Sequence, residues 1–153
     1  MTEDSRFVEL KKSICKGDWN AVKRFFVCDK HPLGTIILSD EGHTALHVAI
    51  QAGQDKIAKK LVKMMSETDL EIKTKNLRHT FLTLVASTGR TDVAKCIVKR
   101  RKKLLTVRCK EGRIPVTVAC SMGHKEMTHY LYSVNPPEVF RPQNGNHGFH
   151  LMR

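Results

Sequence analysis

Two short spacings in this 153-residue chain bring metal-binding residue types together. Cys120-x3-His124-x4-His129 and Cys28-x2-His31 each combine a thiol with imidazole, the donors that a zinc ion takes. A structural zinc site needs four convergent ligands, and neither spacing supplies four. Cys120 also falls in a column expected to be buried and His124 in a turn, so their side chains diverge. His47 could act as a ligand or a general base, but base catalysis needs a nucleophile within reach and a third group to orient the ring. No carboxylate is spaced to orient it. The expectation is therefore no catalytic residue, no metal, no cofactor and no enzyme. Gly17, Gly53, Gly89 and Gly123 are too scattered to cradle a phosphate. The sharpest local feature is Lys99-Arg100-Arg101-Lys102-Lys103. As a functional patch it is a nuclear-import signal, a nucleic-acid contact or a dock for anionic lipid. As a structural one it is a helix end whose positive charge suits the helix dipole and stays in water, and this second reading is preferred. No aromatic residue lies within or beside the run, so bases have no stacking platform.

The elements that would carry these residues repeat. The four glycines are 36, 36 and 34 residues apart. The residues four, five, eight and nine positions after them are Ala21, Val22, Phe25, Phe26; Ile57, Ala58, Leu61, Val62; Val93, Ala94, Ile97, Val98; and Met127, Thr128, Leu131, Tyr132. Fifteen of these sixteen are apolar, which chance does not explain, and the spacing is one stripe of an amphipathic helix. Upstream, Leu10, Leu46, Leu82 and Val116 stand seven residues before the glycines, and Ile14, Ile50, Ala86 and Cys120 three before. Each glycine thus stops one helix and turns the chain into a second. Thr44 and Thr80 suit N-caps of the upstream helices, and Pro115 suits a first turn. Neither helix has a wide enough apolar face to fold alone, so neighbouring units must stack. The fold expected is an all-α solenoid of about four helix-turn-helix units near residues 5–38, 39–74, 75–108 and 109–135, forming a domain over 1–135.

Composition agrees and excludes other classes. Apolar residues are 41 %, charged residues 27 % and aromatics only 6 %, which describes a globular chain with an aliphatic core. Lys and Arg number 27 against 15 Asp and Glu, a net +12. Residues 1–50 are balanced, so this excess lies wholly in residues 51–153. No run approaches the ~18 apolar residues of a membrane-spanning helix. The acidic, polar start Met1–Arg6 predicts no secretory signal, and five irregularly spaced cysteines predict a reducing, cytosolic compartment.

Gly42-His43-Thr44-Ala45-Leu46-His47-Val48-Ala49 resembles the ankyrin signature T-P-L-H-x-A. Gly112-Arg113-Ile114-Pro115-Val116-Thr117-Val118-Ala119 is a degenerate copy, and Arg78-His79-Thr80-Phe81-Leu82-Thr83-Leu84-Val85 a weaker one. The resemblance implies an ankyrin solenoid acting as a protein-interaction module, with His47 supporting its turn by hydrogen bonding. Lys16-Gly17-Asp18-Trp19, Met65-Ser66-Glu67-Thr68-Asp69-Leu70 and Tyr130-Leu131-Tyr132-Ser133-Val134 resemble plant ankyrin proteins of the accelerated-cell-death and salt-tolerance type. Those join ankyrin repeats to a C-terminal transmembrane PGG domain that has no counterpart in these 153 residues. This narrower resemblance implies a signalling or stress role at the cytosolic face of a membrane.

In ankyrin arrays partners meet the turn tips and the inner helix just before the glycine. Carried over by position, the tips are Asp40, Glu41 and His43, then Asn76, Leu77 and His79, then Lys110, Glu111 and Arg113. The inner-helix positions are Gln51 and Ala52, Ser87 and Thr88, and Ser121 and Met122. At the third tip Arg78 stands where the other tips have glycine. Protein partners are expected first and an anionic membrane surface second. A basic nucleus-directed or nucleic-acid-associated ankyrin protein is the alternative. Residues 136–153 read as a polar linker or the cut-short start of another repeat, because a further step of 36 lands on Gly148. On that expectation the fourth unit offers Met127, Leu131 and Tyr132 to a missing neighbour.

Overall fold

In a computed structural model of the chain, which describes residues 3–28, 43–75 and 77–136, eight α-helices pair across short turns, with no strand among the described residues. α1 (Glu3–Lys16) pairs with α2 (Trp19–Lys23), which runs on into a wider π-type turn over Arg24–Cys28. α3 (Ala45–Gln51) pairs with α4 (Asp55–Met64), α5 (Phe81–Thr88) with α6 (Thr91–Arg100), and α7 (Pro115–Ser121) with α8 (Lys125–Val134). Short 3-10 turns at Asp69–Glu71 and Lys102–Thr106 open the links after α4 and α6. The odd-numbered helices stack in one row, α1 on α3, α3 on α5 and α5 on α7, while α4, α6 and α8 stack in a second. This is the two-layer helical solenoid that the repeat predicts.

The starts and stops arise from the residues expected to make them. Thr80 caps α5, its hydroxyl accepting the Thr83 N–H at 3.2 Å. Pro115 is the first residue of α7, where its missing N–H costs nothing. Gly17, Gly53, Gly89 and Gly123 have φ of 81°, 74°, 75° and 78°, the left-handed backbone that lets a helix end and reverse. Arg78 takes the same region at φ 53°, so the third tip keeps the turn with a side chain that is strained in it.

Thirteen of the sixteen stripe residues are buried, from Val22 through Leu61 and Ile97 to Leu131, and form one continuous core with Ile14, Leu46, Ile50, Leu82, Ala86 and Val116. Ala21 and Thr128 are half-buried, and Tyr132 is 52 % exposed. Two expectations need correction. Cys120 is half-buried rather than sealed in its column. Met127 and Leu131 are fully buried, so of the three residues expected to await a neighbour only Tyr132 remains at the surface. Residues 137–153, which include Gly148, lie outside the described residues.

Candidate interaction surface

The units are held in register by a device at the residue after each helix-ending glycine. Gln54 donates from Nε2 to the Cys15 carbonyl at 2.9 Å, and its amide sits where a Cβ on Gly17 would come within 3.0 Å. Arg90 lies over Gly53 in the same way, where a Cβ would meet its guanidinium at 2.8 Å, and it reaches Asp55 at 3.8 Å. His124 lies over Gly89, with Nε2 2.9 Å from the Ser87 carbonyl. Gly17, Gly53 and Gly89 are therefore needed twice, for their backbone angle and to admit the next unit's side chain, whereas Gly123 has open space at its Cβ position. Sequence reading missed the part these three residues play between units, taking His124 only as a metal-type donor. Their signal was a column of polar side chains, Gln54, Arg90 and His124, at a fixed place after each glycine.

His47 is likewise structural. Its Nδ1 accepts the Thr44 N–H at 2.9 Å and lies 3.1 Å from Thr44 Oγ1, closing a capping box at the start of α3. The ring is fully buried, stacked on His43 at 5.2 Å and tilted against Phe81 at 4.3 Å between centroids. Burial, with His43 as a like-charged neighbour, pushes its pKa down to about 3. A neutral ring is also what the cap requires, since a protonated Nδ1 could not accept. His124 spends its Nε2 on Ser87, and Cys120 and His129 do not join it; among the described residues no three metal-type donors converge. His31 and the Cys28 side chain lie outside the described residues.

The contact positions divide into exposed and occupied ones. Asp40, Glu41 and Asn76 lie outside the described residues. Gln51, Ala52, Lys110, Glu111, Arg113 and Ser121 are exposed, as are Leu77 at 45 % and Met122 at 57 %. Neighbouring tips touch: the Lys110 N–H donates to the Leu77 carbonyl at 2.9 Å. Arg113 ties its tip to the inner helix, its guanidinium 3.4 Å from the Ser121 hydroxyl, and its Nε is 3.9 Å from Glu111. Ser87 and Thr88 are half-buried and turn their hydroxyls back onto the Leu84 and Val85 carbonyls at 2.7 and 2.9 Å, as the exposed Ser121 does onto the Val118 carbonyl at 2.9 Å. His43 is packed on His47 rather than extended. His79 is half-buried, its backbone N–H bonded to Thr74 Oγ1 at 3.0 Å, and burial lowers its pKa against a smaller opposing pull from Glu111.

The basic run is not one solvated patch. Lys99 and Arg100 end α6, and the Arg100 guanidinium donates to the Met65 carbonyl of the preceding unit. Arg101 is half-buried and clamps Glu67 at 3.2 Å and Glu71 at 3.0 Å, while Lys103 reaches Glu71 at 3.5 Å. Arg101 first, with Lys103 beside it, holds the Glu71 carboxyl below its usual range. Three of the five cations thus staple the third unit to the second, and Lys99 and Lys102 are left to water.

The ankyrin-repeat family model matches residues 41–75, the stretch that holds α3, α4 and the link after them. That match supports the ankyrin resemblance for this unit. The described residues as a whole form an all-α, two-layer solenoid, and ankyrin repeats are in general protein-interaction modules rather than enzymes. No curated protein matches the chain.

Proposed function

We propose that the chain is a non-enzymatic scaffold whose protein partner meets the inner-helix ends and turn tips. The observation that supports this is a row without formal charge at the C-terminal ends of α3 and α7, in which Gln51, Ala52, Ser121 and Met122 are exposed beside the linked tips at Leu77 and Lys110. Exposed apolar side chains on a rigid frame are the usual anchors of a protein interface. Met122 and Leu77 are the large ones on this side. The resemblance to plant ankyrin proteins supports a finer reading, in which the chain is the cytosolic portion of a membrane-associated signalling or stress protein. The nucleus-directed alternative rested on the basic run, three of whose cations are engaged by the second unit.

The test is affinity capture with the wild-type chain beside Leu77→Asp and Met122→Asp variants. Both side chains are exposed, so the variants should melt within a degree or two of wild type. A specific partner should be captured by wild type, lost by both variants and retained at moderate salt. A partner that survives both substitutions refutes this surface.

A further inference from the structure

Past the mixed-charge α1, the inner helices and the outer helices α4 and α6 differ in charge. α3, α5 and α7 contain no Asp, Glu, Lys or Arg. α4 has four lysines against one aspartate, and α6 two lysines and an arginine against one aspartate. Counted from each glycine, the sixth residue is Lys23, Lys59, Lys95 and His129, so every unit places a basic residue at one register of its outer helix. Lys63 and Lys99 form a second, parallel row at the tenth residue. Because α6 packs between α4 and α8, with helix axes about 8–10 Å apart, these rows make a two-dimensional array rather than a line.

Lys23, Lys63, Lys95 and Lys99 are exposed, and no carboxylate lies within ion-pair distance of them among the described residues. Four of the nearby acids pair with other cations: Glu67 and Glu71 hold Arg101 and Lys103, Asp55 holds Arg90, and Glu111 sits beside Arg113, while Asp92 and Glu126 sit in the first turns of α6 and α8. Lys59 and Lys63, like Lys95 and Lys99, are like charges four apart on a helix, an arrangement that works against the helix itself.

The aromatic complement is on the same layer. The single tryptophan, Trp19, lies on α2, and both tyrosines, Tyr130 and Tyr132, lie on α8. Lys60 covers the Trp19 ring at 5.1 Å and Lys95 the Tyr130 ring at 5.7 Å. Those covered faces are closed to a stacking base, which disfavours single-stranded nucleic acid. Lysine interleaved with Trp and Tyr is instead the composition of a surface lying at the headgroup level of a bilayer.

We propose that the outer-helix face docks on an anionic phospholipid bilayer, with the lysine rows against the headgroup phosphates and carboxylates and Trp19 and Tyr132 at the interface. This does not rest on the protein-partner reading, and it leaves the inner face free, so both can be engaged at once.

The test is sedimentation of the full chain with vesicles of phosphatidylcholine, alone or with about a third phosphatidylserine. Only the anionic vesicles should carry the chain down. Replacing Lys59, Lys63, Lys95 and Lys99 by Gln should weaken that binding roughly a hundredfold or more. Replacing Lys73, Lys75, Lys102 and Lys110, which are exposed but belong to links and tips rather than to an outer helix, should change it less than about threefold. Equal losses in the two variants would overturn the proposal, because any positive charge would then do. Trp19 supplies a second readout that needs no variant, since all tryptophan emission comes from it. A blue shift on anionic vesicles is expected, and binding without any shift overturns the orientation. An oligonucleotide that binds more tightly than the vesicles and displaces the chain from them would assign the face to nucleic acid instead.

Discussion

The buried cap at His47 gives the fold a pH dependence whose size follows from the geometry. In the unfolded chain the ring titrates near 6.5, and in the folded one near 3. Between those values the unfolded state binds the extra proton, so stability rises with pH there. The contribution of His47 is fully present above pH 6.5 and is lost as pH falls from 6.5 towards 3. Each pH unit in that window costs about 1.4 kcal/mol, so going from pH 7.5 to pH 5.0 should remove about 2 kcal/mol from the unfolding free energy. Urea unfolding at the two pH values measures this directly, and carboxylates such as Glu71, held below their usual range, do not yet titrate there. The control is His47→Gln, which keeps a side-chain acceptor at the third helical position for the Thr44 N–H but has nothing to protonate. Its pH 7.5-to-5.0 loss should be smaller by about 2 kcal/mol, leaving only other groups such as His79 to contribute in the same direction. Equal losses in wild type and variant would refute the argument. The ring would then be reaching water, or protonating without giving up the cap.

Leu61→Ala should cost about 2–5 kcal/mol by chemical denaturation, because its side chain is fully buried in the outer-helix stripe; a loss under about 0.5 kcal/mol would mean that the wrong face has been taken as core. Arg78→Gly should stabilise the chain by about 1 kcal/mol, read as a higher denaturant midpoint, since glycine removes the strain at φ 53°. Gly89→Ala should destabilise by about 1–3 kcal/mol, because it puts a side chain at φ 75° and a Cβ 2.7 Å from His124 Nδ1; unchanged melting would show that the contact between the third and fourth units gives way freely.

What repeats was legible, and what joins one repeat to the next was not. The glycine spacing, the apolar stripe, Thr44, Thr80 and Pro115 are all determined by position within a unit, and a period of 36 or 34 exposes them. Ser87 and Thr88 looked equivalent to Gln51 and Ala52 by position. Their hydroxyls reach helix carbonyls that the longer amide of Gln51 does not use. His43 matched a tip position, but a second imidazole four residues on gave its ring a stacking partner. Met127 and Leu131 read as an open end because a stripe says which face is apolar, not what lies against it.

The basic run makes the same point through charge. Five adjacent cations read as one feature along the sequence, yet α6 ends at Arg100, Arg101 has φ −146°, and Lys102 and Lys103 belong to a 3-10 turn. Consecutive side chains therefore leave the backbone in different directions, and the five cannot present one extended basic strand while the fold is intact. Their partners, Met65, Glu67 and Glu71, come some thirty residues earlier, so no local window pairs them. The lysines of α4 and α6 show the reverse. They are separated along the chain and unremarkable in any window, but the stacking of outer helices turns one residue per unit into an array. In a solenoid, adjacency in space follows the repeat period rather than the sequence. The surface charge that matters is the charge that recurs at one register without an acid to answer it.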